Sequence, residues 1–372
     1  MAYDLSMAEK YRHYYVSQAL VRAWSEDGKK ASWCNPIRDK SIPAGGIERY
    51  FHSAYIDEDG RVRANLDAFD IMFSRIVPAL KAGDFSSLTD TEHQVCLREL
   101  LLMQIYQSPS IRGCFEGLKE RLESLSDAPI FNGITATKER NEYYQKKRNR
   151  ELFDAINKSI TFGVYLIDLT PCLLRAPEGK SFLLGASSVS VLNPYVRMKD
   201  NPLLENDRIA FMDRGTVLVL PLTPSLSFCL YDGDIYSLPV SDGVCTISES
   251  DADILNRIQI YNTGMAEGVL YTGEEKYVRS LVGRKGSGSS IRSGFPGDDL
   301  DRYPFSTLLS VMDMKENREA DDEDPRRELG INMRDYDDEN FPKIKGDQFW
   351  PELEKRNRYA LRVLRYLRKQ KK

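Results

Sequence analysis

Between Glu92 and Arg112 the chain reads EHQVCLRELLLMQIYQSPSIR. Leu100 to Met103 are all apolar, with Cys96 and Leu97 a turn earlier and Ile105 and Tyr106 after them. A helix that is apolar on nearly every face is unsuited to a surface and requires other elements on most sides. The chain must therefore fold around this rod. Ser108-Pro109 ends it, because proline has no N–H and pushes the preceding residue out of the helical region. Gln104 and Gln107 lie three apart on one face, and Arg112 follows the proline. Polar groups in such a place need partners. They bind a phosphate or carboxylate, with the arginine giving bidentate contacts, or they satisfy main-chain groups where the helix breaks.

The elements before the rod are mostly helical. Met7–Trp24 sets Tyr11, Tyr14, Tyr15, Leu20, Val21 and Trp24 among polar residues and reads as a helix or extended arm docking by aromatics. Residues 31–56 are turn-rich and read as short strands and loop. Apolar residues at 66, 69, 72, 73, 76, 77 and 80 form a 3.6-residue stripe, so a helix runs from about Leu66 to Leu80. Thr89-Asp90-Thr91-Glu92 opens the rod in the style of a capping box. Helices are expected again from Pro109 to about Leu125 and over Thr135–Lys158.

Near Ser159 the pattern changes. ITFGVYLIDL, SFLLGASSVSVLN, RIAFMDRGTVLVLPL, LSFCLYDG and GVCTIS are short β-branched or aromatic runs separated by Gly, Asp and Pro, which are strand signals. Asp232-Gly233 and Asp242-Gly243 have hairpin-turn chemistry. A helix over Ser250–Tyr261, a strand at GVLYT and a short helix in EEKYVRSLVGR close the region. Helices first and strands later predict an α+β fold, with an N-terminal helical layer on a mainly antiparallel sheet. The expected organisation is a core over 1–282, helical over 1–158 and strand-rich over 159–282. A Gly/Ser-rich, then acidic, linker spans 283–340, and a basic amphipathic helix spans 341–372 as a charged C-terminal extension.

Charge is informative in its distribution. The net charge of −4 gives no global attraction to nucleic acid or anionic membrane. Residues 313–339, however, carry 12 acids against 5 bases, and 340–372 carry 11 bases against 3 acids. Lys355, Arg356, Arg358, Arg362, Arg365, Arg368 and Lys369 are the candidate contacts to a nucleic-acid or protein partner, by phosphate neutralisation in the first case. Folding back on the acidic stretch is the competing use. Six cysteines without paired spacing read as small hydrophobes in a reducing cytoplasm. The polar N-terminus lacks signal-peptide character, and no run of about 18 apolar residues exists to span a membrane.

Four islands together resemble the mainly bacterial domain-of-unknown-function family 4238 over about residues 11–282. The family's His-His-Tyr-Val-Pro-Gln start, followed by Leu-Arg and an aromatic, is similar to His13, Tyr15, Val16, Gln18, Val21, Arg22 and Trp24, with Tyr14 and Ser17 in place of the second histidine and the proline. Gln104, Pro109 and Arg112 fit its second motif, while Gln107 and Ser108 stand in for Arg and Thr. Leu184–Val189 occupies the place of a Thr-Ser-Asp-Asn-Pro motif, with Ser187, Ser188 and Val189 at its Asp, Asn and Pro positions. VLVLPLTP at Val217–Pro224 is close to a Pro-Leu-Ser-Pro strand end, and Asn256, Ala266 and Tyr271 match the closing helix region. The resemblance implies an α+β, cytoplasmic, bacterial protein and no established activity, cofactor or substrate.

The candidate polar pocket therefore comprises His13, Tyr14, Arg22, Gln104, Gln107, Arg112, Ser187, Ser188 and Asn256. Its groups either gather for ligand binding and acid–base work or hold the arm and helix in place. Gly185-Ala186-Ser187-Ser188-Val189 lacks the last glycine of a nucleophile elbow. Gly286-Ser287-Gly288-Ser289-Ser290 lacks the P-loop lysine pattern, and the acidic runs lack calcium-loop spacing. No cofactor or metal is expected. The leading expectation is a non-catalytic accessory protein that binds a ligand or macromolecular partner. The alternative is a hydrolase or nuclease-like effector acting on a phosphate-containing or nucleic-acid substrate.

Overall fold

The computed structural model describes residues 11–55, 61–85, 91–108, 166, 169–194, 215–233, 235–263, 267–282 and 309–314. The first segment forms β1 (Tyr11–Tyr14), α1 (Gln18–Ala23), β2 (Lys30–Asn35), β3 (Lys40–Gly46), a 3-10 turn (Ile47–Arg49) and β4 (His52–Tyr55). Two long helices follow, α2 (Arg61–Lys81) and α3 (Thr91–Gln107). The strand-rich part holds β5 (Thr170–Arg175), β6 (Leu184–Gly185), β7 (Ser190–Leu192), β8 (Val217–Pro221) and β9 (Leu226–Tyr231). It continues with β10 (Tyr236–Ser237), β11 (Val244–Thr246), α4 (Glu249–Asn262), β12 (Val269–Tyr271), α5 (Glu275–Ser280) and β13 (Asp313–Met314).

The protein is α+β. Five strands pair in the order β11-β5-β9-β8-β7, antiparallel except for the parallel β11/β5 contact. Four pair antiparallel in the order β3-β2-β12-β6. Two small sheets, β1-β4 and β10-β13, complete the pairing among the described residues. Every residue of β8 and β9 is buried, so the middle of the large sheet is covered on both faces. Because β12 lies between β2 and β6, the N-terminal strands are locked to the last part of the core.

Every described side chain of α3 from Leu97 to Ile105 is buried, including Arg98, Glu99 and Gln104. That matches its lack of a polar face. The N-terminal arm divides into a strand and a helix, because Ser17 stops β1 and caps α1, its Oγ accepting from Ala19 N at 3.2 Å. Cys34, Cys172, Cys229 and Cys245 are buried and free, and burial pushes the Cys34 and Cys245 thiols up to about 11.

The strand and turn readings of this region resolve differently. The strand expected within 160–169 lies mostly outside the described residues, and the first strand seen after it is β5, which begins at Thr170 with Pro171 as its second residue. Leu173 N–H donates to Gly243 O at 2.8 Å and Arg175 O accepts from Ile247 N–H at 3.0 Å, so odd-numbered residues of β5 face β11. Pro171 shares that phase but lies before β11 begins opposite Leu173, so no ladder bond is lost. Asp242-Gly243 is a two-residue hairpin turn with φ of 50° and 78°, closed by reciprocal 2.9 Å bonds between Ser241 and Val244. Asp232-Gly233 is not a hairpin: Asp232 prolongs the β8/β9 contact through Thr216 O, and β10 then pairs with β13.

Part of the expected 283–340 linker is built into the core, since Leu309 and Met312 are buried there. The helices expected after Pro109 and over Thr135–Lys158, the rest of the linker and the basic helix lie outside the described residues. Among the described residues no helix is long and apolar enough to cross a membrane.

Candidate functional site

Among the described residues β6 has one strand neighbour, β12, and its other edge would leave main-chain groups unpaired inside the protein. Helix α4 fills that role with side chains. Asn256, Gln259 and Thr263, spaced three and four apart, share one face. Asn256 Oδ1 accepts from Leu183 N (2.8 Å) and its Nδ2 donates to Ser181 O (2.8 Å). Gln259 Oε1 accepts from Gly185 N (3.0 Å), while its Nε2 donates to Ser188 O (2.9 Å) and Ser190 Oγ (3.0 Å). Thr263 Oγ1 accepts from Ala186 N at 3.1 Å and donates to Gln259 O at 2.7 Å. Buried main-chain groups of 181–188 are thus met by helix side chains in place of a strand.

The approach requires a glycine. A Cβ on Gly185 would run into Thr263 Oγ1 and lie 2.7 Å from Gln259 O, a main-chain atom that cannot swing aside. From the opposite side α3 reaches the same turn, where Ser188 Oγ donates to Gln104 Oε1 at 3.1 Å. Gln104, Ser187, Ser188, Asn256 and Gln259 are all at most 3% exposed. An amide oxygen cannot take up a proton at neutral pH, so Gln104 does not activate the Ser188 hydroxyl as a nucleophile.

The N-terminal arm joins at the same tripeptide. Trp24 Nε1 donates to Phe182 O at 3.0 Å, between the two groups held by Asn256. Tyr15 OH donates to Glu267 Oε1 at 2.7 Å, and Ser17 Oγ bonds Asp70. Toward the surface, Asn256 Nδ2 also donates to Tyr277 OH (3.0 Å), which donates to Asp253 Oδ1 (2.6 Å), an ion-pair partner of Lys180 Nζ at 3.1 Å. Burial, reinforced by Asp253, raises the Tyr277 phenol well above its ordinary range.

The candidate residues thus separate. Gln104, Ser187, Ser188 and Asn256 belong to one buried region. Arg22 is exposed on α1. Tyr14 is half-buried, its ring edge-on to His52 at 5.7 Å and its OH 3.4 Å from Glu48 O. His13 is opposite Ser53 in the β1/β4 register, and Gln107 ends α3. The side chains of those two, Arg112, and the basic residues from Lys355 to Lys369 lie outside the described residues.

The model of the family described as Protein of unknown function (DUF4238) matches residues 12–266. The chain belongs to that family. The matched span holds the buried part of the network, from Trp24 through Gln104 and Ser188 to Thr263, while Glu267 and Tyr277 lie just beyond it. No curated protein and no solved structure matches the chain.

Sequence reading of this DUF4238 member missed Gln259 and Thr263, although their spacing from Asn256 puts all three on one helical face. It also passed over Arg98 and Glu99, the one charged pair inside the apolar rod. Arg98 caps two carbonyls, Nε to Leu166 O at 2.8 Å and Nη2 to Leu169 O at 2.9 Å. Glu99 is buried, burial pushes its carboxyl up to about 8, and its Oε2 has no hydrogen-bond partner among the described residues. Among the described residues no group of three or more His, Cys, Asp or Glu side chains is set to hold a metal ion.

Proposed function

We propose that this protein is a cytoplasmic, non-catalytic accessory protein that binds an anionic macromolecule, nucleic acid first among them, through residues 355–372. The observation that carries the non-catalytic part is the use of the buried polar atoms. Gln104, Asn256, Gln259 and Thr263 are engaged with main chain or with Ser188, Ser190 and Tyr277, and the Ser188 hydroxyl donates to an amide oxygen, not to an acid–base group. The binding part is supported by composition: from Lys355 onward there are nine bases and no acids, a charge pattern suited to phosphate neutralisation without sequence preference.

The test is a salt titration of DNA and RNA binding by the full chain and by a chain ending at residue 345. The full chain should bind both, and if six or more bases reach phosphates its affinity should fall by about 10³-fold or more between 50 and 200 mM salt. The shortened chain should lose that binding. Equal binding by the two chains would overturn the assignment to 355–372, and turnover of a phosphate ester by the full chain would overturn the non-catalytic part.

A further inference from the structure

The segment Leu309–Met314 follows a Gly/Ser-rich stretch and lies beyond the family match, yet it is attached to the core by contacts that read its sequence. Leu309 and Met312 insert into the main hydrophobic core, with Val311 half-buried against it. Between the two anchors Ser310 is read by one carboxylate: its N–H donates to Asp251 Oδ1 at 2.6 Å and its hydroxyl to Asp251 Oδ2 at 2.7 Å. Ser248 Oγ lies 2.9 Å from Ser310 Oγ. The segment then becomes β13, pairing antiparallel with β10 as Tyr236 opposite Met314 and Ser237 opposite Asp313. Leu309–Met312 is a turn closed by Met312 N–H donating to Leu309 O at 2.9 Å, so both anchors point into the core from one turn and the strand pairing begins only after it. Apolar anchors, a main-chain and side-chain clasp, and an added strand are elements of peptide recognition.

The receiving side is organised by helix α4 itself. Ser248 and Asp251 form its capping box, with Asp251 N–H donating to Ser248 Oγ at 3.2 Å and Ser248 N–H to Asp251 Oδ2 at 3.4 Å. That geometry is set by the helix start, so the carboxylate that reads Ser310 is positioned whether or not the segment is docked. The occupant is modest by comparison: two buried side chains, an exposed serine and two paired residues. Attachments of that size open locally without unfolding the protein.

We propose that the notch between β10 and the first turn of α4 is a peptide-binding site for segments of the pattern apolar–Ser–x–apolar folded as a turn and leading into a short strand. Leu309–Met314 is its resident, exchangeable occupant. A partner protein carrying that pattern binds by displacing it. Being part of the same chain gives the resident the advantage of an intramolecular competitor, so a competing peptide gains access only when the resident is weakened.

The experiment uses the full chain with Leu309→Asp and Met312→Asp to vacate the notch, and a fluorescein-labelled peptide of residues 306–316 as probe. The vacated chain should bind the peptide saturably, at least ten-fold more tightly than the unaltered chain, and at least ten-fold more tightly than it binds a peptide carrying Ser310→Pro. A full chain with Ser310→Pro, which removes both donors and leaves the apolar anchors, should behave like the vacated chain at intermediate affinity. A folded vacated chain without saturable binding would overturn the proposal, as would equal affinity for the two peptides. Loss of folding in both chain variants, read by circular dichroism, would also overturn it, since an exchangeable occupant is not required by the core.

Discussion

Helix α4 grips two segments, one at each end, and the two grips differ in kind. Its C-terminal half holds 181–190 through Asn256, Gln259 and Thr263, with α3 and Trp24 closing on the same stretch and nearly every polar atom of the grip withdrawn from water. Its first turn holds 309–314 through Asp251 and Ser248 at a place where Ser310 stays exposed. The same chemistry, a helix side chain meeting a main-chain N–H, thus serves two ends. Where it is buried, a lost bond leaves an unsatisfied group and costs the fold; where water can enter, it costs only the docking. The polar motif of this DUF4238 member belongs to the first kind.

The largest effect should come from the close approach. Gly185→Ala drives a methyl against Gln259 O and Thr263 and disturbs the bonds from Gly185 and Ala186 N–H. Overpacking and lost hydrogen bonds together should cost about 4 kcal/mol in urea denaturation. Gln259→Ala removes three hydrogen bonds without a clash and leaves a buried N–H, a carbonyl and a hydroxyl unmet. A loss of about 3 kcal/mol is expected by the same measurement, and a loss below about 1 kcal/mol would place 181–190 in the weaker class.

Glu99 sharpens the contrast from inside the rod, because its carboxyl is buried but not fully met. Its folded value of about 8 stands above the ordinary 4.5. Below pH 4.5 both folded and unfolded chains are protonated and stability is full. Between 4.5 and 8 only the unfolded chain ionises, so stability falls by up to about 1.4 kcal/mol per pH unit. Glu99→Gln should flatten that slope in melts taken from pH 5 to 8. Asp251→Asn, the mildest change, should lower global stability by about 1 kcal/mol or less while exposing 309–314 to limited proteolysis; resistance equal to that of the unaltered chain would contradict the weak grip.

The rod and the α2 stripe were legible because burial on all sides or on one side leaves a direct mark on apolar spacing. So was the Asp242-Gly243 turn, where both residues take positive φ. β5 was hidden by Pro171, which sequence reading treats as a strand breaker and which is harmless here only because β11 starts two residues later. Asn256 was found by its motif, but Gln259 and Thr263 were not. Nothing in their own neighbourhood says that the open edge of β6 faces them. Leu309–Met314 was masked by the Gly/Ser and acidic stretches on either side, whose composition outweighs two apolar anchors when averaged along the chain.

Amide hydrogen exchange on the full chain under native conditions tests most directly whether the family's polar cluster is a structural seam. The amides of Leu183, Gly185 and Ala186, which donate to Asn256, Gln259 and Thr263, should exchange only through global unfolding, with a free energy that tracks urea denaturation. The Ser310 amide should exchange through a local opening with a much smaller free energy and little urea dependence. Fast, urea-independent exchange at Gly185 and Ala186 would show that 181–190 opens within the folded protein, as a substrate-admitting pocket does, and would contradict the assignment of those residues to the framework.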